Sequence, residues 1–267
     1  MEETQKMKFK RIVLWSEFPH KTNWKKLGEL LKEADFHPDI YVACTSPDNY
    51  KWWAREIKKQ CKSLNEINAW PVLTKAEGYW FSGFTSKDCI DRLLEYKDTK
   101  VKIDLEPPLP KIKYTNFGIA MFLFKLLVRK GKNNKHLFKT ITKASEKNDV
   151  LVNEFPIPKP LLKRWGCYYP THNKNVMCYT SLLRYRSPLR LWNFWMAKRR
   201  KARMCSIGLI HSGIFTDEPY YTRVEELEKD LLYAQKQGFE EIAVYSIDAI
   251  MKRKDPTAWI SSLKKFY

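Results

Sequence analysis

Short runs of β-branched and aromatic residues alternate with longer runs of helical period, and this alternation repeats eight times along 267 residues. The apolar runs are Arg11–Phe18, Asp39–Cys44, Asn68–Leu73, Lys100–Glu106, Asp149–Phe155, Asn175–Ser181, Met204–His211 and Glu241–Asp248. They are apolar through most of their length, as parallel strands covered by helices on the outside must be. The intervening segments carry helix signals. Asn23 is placed to cap "WKKLGELLKEA", a Ser opens "KDCIDRLLEYK", and Gly238 ends "VEELEKDLLYAQKQG". Eight such units predict a closed (β/α)8 TIM barrel, expected as a single domain over residues 1–267. A helical insertion at 111–147 follows the fourth strand, with helices expected over Asn116–Arg129 and Lys135–Glu146. An open doubly wound sheet is the rival, but no glycine-rich phosphate turn follows the first strand.

Several function classes can be weighed from composition. Hydrophobic residues make up 44% of the chain and aromatics 14%, which suits a globular core. No run reaches the ~20 apolar residues of a membrane span. The nearest, Phe117–Val128, is interrupted by Lys125. The N-terminal stretch shows no apolar signal region, and the six cysteines are not spaced as metal or redox pairs. Free thiols in a cytoplasmic protein are therefore expected, with no metal and no cofactor. The net charge of +19 would suit nucleic acid, anionic lipid or an acidic glycan. The basic residues are dispersed, however, and the densest cluster, Lys198–Arg203, ends a helix, where its dipole favours cations. No specific nucleic-acid partner is expected.

The carboxyl ends of barrel strands carry the active sites of this fold. Four of the eight ends hold acids: Glu17, Asp104 with Glu106, Glu154, and Asp248. Side chains alternate along a strand, so Asp104 and Glu106 share a face with Lys102, while Ile103 and Leu105 face the helices. The acids then point into the barrel mouth. Glu17 and Glu154 both stand in an "EFP" triplet, on strands expected to be diametrically opposite. Of the five histidines, only His211 falls at a strand end, as a site wall or a core residue. No Ser-His-Asp signature appears.

Three segments in register resemble glycoside hydrolase family 18, the chitinase and endo-N-acetylglucosaminidase family. The family's fourth strand ends in D-x-x-D-x-D-x-E, matched here at its last two acids by Asp104 and Glu106. Its sixth strand reads M-x-Y-D, against "MCYT" at Met177–Thr180, and its eighth reads W-S-x-D, against "YSID" at Tyr245–Asp248. The earlier acids of the motif are replaced by Thr99 and Lys102, the sixth-strand Asp by Thr180 and the eighth-strand Trp by Tyr245. The third strand lacks S-x-G-G. The resemblance implies hydrolysis of an N-acetylhexosamine-containing glycan. Glu106 would be the general acid and Asp104 would orient the acetamido group that attacks in place of a protein nucleophile. Tyr179 would hydrogen-bond that group, and Tyr245 would be the stacking floor, with Trp15 and Trp80 as walls. Other readings stay open: a barrel that binds a glycan or protein without turnover, a two-carboxylate mechanism through Glu106 and Glu154, and a basic nucleic-acid-associated protein.

Overall fold

The computed structural model describes residues 8–108, 127–182, 186–211 and 218–267. Eight parallel strands close into a barrel in the order β1 to β8. They are β1 (Arg11–Ser16), β2 (Asp39–Cys44), β3 (Ile67–Pro71), β4 (Val101–Leu105), β5 (Val150–Glu154), β6 (Lys174–Met177), β7 (Met204–Ile207) and β8 (Glu241–Tyr245). All eight expected strands are present, and β2 has the bounds expected from sequence. The others end up to four residues early, because pairing stops where the chain bends into the loops that form the mouth.

The helices form the outer layer for local reasons. Trp24–Glu33 starts where the Asn23 side chain accepts from the Lys26 N–H at 3.0 Å. Pro47–Gln60 and Lys87–Asp91 start from the Ser46 and Ser86 hydroxyls in the same way. Val224–Lys236 ends before Gly238, whose φ of 82° suits glycine. The second helix of the insertion is found as Asn134–Ser145. The first, expected over Asn116–Arg129, lies outside the described residues up to position 126. Among the described residues, no helix is long and apolar enough to cross a membrane.

Apolar side chains fill two layers. One lies between strands and helices, with Ile12, Leu14, Ile40, Val42, Val244 and Phe194 on one side of the barrel and Ile103, Leu105, Val152 and Trp165 on the other. The other fills the barrel interior with Val13, Trp15, Tyr41, Trp70, Leu151, Met177, Tyr179 and Tyr245. Each buried aliphatic or aromatic side chain contributes on the order of 1.5–3 kcal/mol by leaving water. These two lists fix which face of every strand looks into the barrel, and so which polar residues reach the mouth.

Candidate active site

Val13 and Trp15 of β1 point inward, and the next residue in phase is Glu17. Lys102 and Asp104 of β4 share the inward face, and Glu106 continues it one residue past the strand. Glu17, Asp104 and Glu106 are all buried at the carboxyl end of the barrel. Lys102 lies beneath them, with Nζ 3.0 Å from Asp104 Oδ1 and 3.1 Å from Oδ2. The same ammonium sits 3.7 Å from the ring centre of Trp15 and 3.2 Å from that of Trp70, so two indole faces clamp it. Asn153 Nδ2 donates to Asp104 Oδ1 at 2.8 Å, Asn175 Nδ2 donates to Asn153 Oδ1, and Asn175 Nδ2 also reaches Ser206 Oγ at 2.8 Å. A buried polar belt thus runs from β4 to β7 below the mouth.

Among the described residues, Lys102 alone stands at ion-pair distance from any of these acids, and its partner is Asp104. Burial raises the Glu106 carboxyl well above the usual carboxylate range, and the charge of Asp104 raises it further. Burial likewise pushes Glu17 up to about 8, against the lowering effect of hydrogen bonds from Tyr245 and Tyr79. The Tyr245 hydroxyl donates to Glu17 Oε2. Burial pulls Lys102 down to about 8, opposed by Asp104. Tyr179 and Tyr245 face each other with ring centres 5.8 Å apart, and burial raises both phenols well above their ordinary value.

Of the other expected site residues, Asp248 is a structural acceptor. It takes Ser16 Oγ at 2.6 Å, Thr22 Oγ1 at 2.5 Å, and the N–H groups of Glu17 at 2.6 Å and Phe18 at 2.9 Å. It therefore holds the loop that carries Glu17. Trp15 is buried beneath the mouth over Lys102. Trp80 is half-buried, 5.5 Å from Tyr79. His211 stacks flat on Tyr220 at 5.0 Å. Thr180 hydrogen-bonds Asp230 of the helix Val224–Lys236.

Glu154 is not brought into this group. Register pairs Asp104 with Asn153 and Leu105 with Glu154, so Glu154 shares the outward phase of Leu105. It lies behind the strand, with Oε1 3.1 Å from Arg200 Nη1 and 3.6 Å from Lys174 Nζ. The two "EFP" triplets therefore present their glutamates to opposite faces of the barrel wall. The inward residue at that level of β5 is Asn153, which sequence reasoning missed along with Trp70, Tyr79, Asn175 and Ser206. Counting by twos from Leu151 reaches Asn153 only once register with β4 has set the phase of β5.

No family model matches this sequence, and no curated protein sequence matches it. Among solved structures, the chain is similar to the glycoside hydrolase domain of PgaB (BpsB) from Bordetella bronchiseptica. Identity is 11%, coverage 95% of this chain and 98% of that one, and the TM-score 0.56. It is also similar to a family GH18 chitinase from Cycas revoluta, solved in complex with allosamidin, at 10% identity, 96% and 99% coverage and a TM-score of 0.51. A putative fructose-1,6-biphosphate aldolase from Coccidioides immitis matches at 7% identity, 96% and 88% coverage and a TM-score of 0.46. The likeness is one of fold.

Proposed function

We propose that the chain is a carbohydrate-active barrel that hydrolyses a glycan containing N-acetylhexosamine, with Glu106 as proton donor. The observation that carries this reading is the placement of Glu106: a carboxyl at the strand end, buried beside Asp104, where burial and like charge raise it well above the usual carboxylate range. A general acid must hold its proton at working pH and deliver it to a leaving oxygen. In the proposed step, the substrate's acetamido oxygen attacks the anomeric carbon and the glycosidic C–O bond breaks. The Glu106 proton moves to the departing oxygen. Water then opens the cyclic intermediate and returns a proton to Glu106. Asp104 faces the acetamido group, Tyr179 hydrogen-bonds it, and Tyr245 forms the floor. Glu17 accepts from a sugar hydroxyl at the rim, while Asp248 positions the Glu17 loop. Trp80 and His211 are assigned to the outer walls.

A second reading, glycan binding without turnover, has one observation in its favour. Both oxygens of Asp104 are held by Lys102, and Oδ1 also by Asn153, so most of the carboxylate's acceptor capacity is taken up within the protein. Turnover of chitooligosaccharides and N-glycans by the wild type and Glu106→Gln separates the two readings. Loss of a general acid lowers the rate by about 10²–10⁴-fold. Hydrolysis that falls by this factor while substrate affinity stays within a few-fold supports the enzyme. Binding of one glycan by a wild type that turns over none of the panel supports the binding module.

A further inference from the structure

The helix Arg186–Arg199 is built the wrong way round for an ordinary surface helix. Its inward side buries Phe194 and Ala197 in the core, as expected. Its solvent side should then be polar. Instead Leu191 is 59% exposed, Trp192 45% and Trp195 48%. With Pro188 they line a shallow groove that continues into Lys198 and Arg199. These positions fall at helical spacing, so they form one stripe, apolar at its start and basic at its end. The two indoles lie 5.5 Å apart, and Trp192 Nε1 donates to Pro156 O at 2.8 Å, which fixes that ring in place. The Arg199 guanidinium lies 5.0 Å from the Trp195 ring centre. Lys201 and Arg203 follow, both exposed. Of the cluster Lys198–Arg203, only Arg200 turns inward, to Glu154. The helix dipole alone therefore does not account for the cluster: Lys198 and Arg199 border an exposed tryptophan patch.

We infer that this stripe docks the protein on an anionic lipid bilayer. The charge selects the occupant. A second copy of this chain would bury the cations of both stripes with no acid in the lining to pair them, and burying unpaired charge is costly. A single-stranded nucleic acid would want flat aromatic faces interleaved with cations along a track. Here the indoles crowd each other, and the cations are segregated at one end. Segregation is what a bilayer surface offers. Tryptophan and leucine enter the boundary between headgroup and acyl chain, while lysine and arginine meet the phosphates.

The test is vesicle flotation of the full chain, with phosphatidylcholine vesicles compared with vesicles containing phosphatidylglycerol. The expected result is binding to the anionic vesicles, at least tenfold weaker binding to the neutral ones, and loss with rising salt. Trp195→Ser should weaken binding about tenfold or more, and Lys198→Gln and Arg199→Gln about fivefold each. Trp52→Ser, an equally exposed tryptophan on the helix Pro47–Gln60, should leave binding unchanged. Circular dichroism and thermal midpoints establish that each variant folds. The inference is overturned if anionic vesicles are not bound, or if Trp195→Ser binds them as the wild type does, which is adsorption by net charge alone. It is equally overturned if Trp195 matters only for self-association or for binding a single-stranded oligonucleotide.

Discussion

Two clusters of buried acid sit within one strand pair of each other and are built on opposite plans. Behind β5, Glu154 is completely buried but faces Arg200 and Lys174. In the mouth, Glu17, Asp104 and Glu106 are nearly as buried but, among the described residues, face one cation, Lys102. The first cluster sets one acid against two cations and contributes a cross-link between β5, β6 and the end of the helix Arg186–Arg199. The second has more acids than cations among the described residues, and burial raises Glu17 and Glu106 above the usual carboxylate range. Burial of a carboxylate alone says little about function. Burial without a compensating cation, on the face that opens to the mouth, is what distinguishes a chemical site from a structural brace.

Exchanging Glu for Gln in each cluster tests this contrast directly. Glu106→Gln should cost about 10²–10⁴-fold in turnover and leave the thermal midpoint at or above that of the wild type, because the amide resembles the protonated acid. Glu154→Gln should do the reverse. It leaves the Arg200 guanidinium with the Phe155 and Ile157 carbonyls as acceptors but without its counter-charge, and breaking a buried pair on one side costs up to about 3–5 kcal/mol, read by denaturant unfolding. Turnover per folded molecule should change little. Equal loss of activity in both variants would favour a two-carboxylate site and erase the contrast.

The next effect is in pH. Glu17 titrates in the fold at about 8, above its ordinary 4.5, so the folded state binds the extra proton between these values. Stability therefore falls as pH rises from about 4.5 to 8, by at most about 1.4 kcal/mol per pH unit for one proton. Glu106, also raised, acts in the same direction. Lys102, lowered to about 8 from 10.5, acts in the opposite direction: the unfolded chain holds more protons above pH 8, and stability is regained there. Glu17→Gln should flatten the slope below pH 8 and leave the limb above it.

The smallest effect concerns the brace under the site. Thr22→Val removes one of the four donors to Asp248 and should destabilise by about 1–3 kcal/mol. It should also lower turnover modestly through the Glu17 loop, seen as a change in KM larger than that in kcat.

The barrel was legible in the sequence because eight apolar runs with capped helices between them admit few other packings. The Asp104–Glu106 face was legible because Ile103 and Leu105 marked the outward side of β4. The same counting failed on β5, where "VLVNEF" is apolar on both faces, as a strand buried on both sides must be. Its phase is set by register with β4, which a lone strand does not carry. Arg200 was hidden for a similar reason. It stands in a run of six residues rich in lysine and arginine, and nothing in that run marks the one side chain that turns inward. The exposed stripe of the helix Arg186–Arg199 was equally hidden, since Phe194, Trp192 and Trp195 look alike until packing assigns them to sides.

The central claim is that Glu106 holds a proton at neutral pH. Infrared difference spectroscopy between the wild type and Glu106→Gln, followed through a pH titration, reads this directly. A protonated-carboxyl band that is present in the wild type at pH 7, and persists well above the ordinary carboxylate range, should be absent from the variant. A Glu106 signal already in the carboxylate form at pH 7, titrating near 4.5, would contradict it.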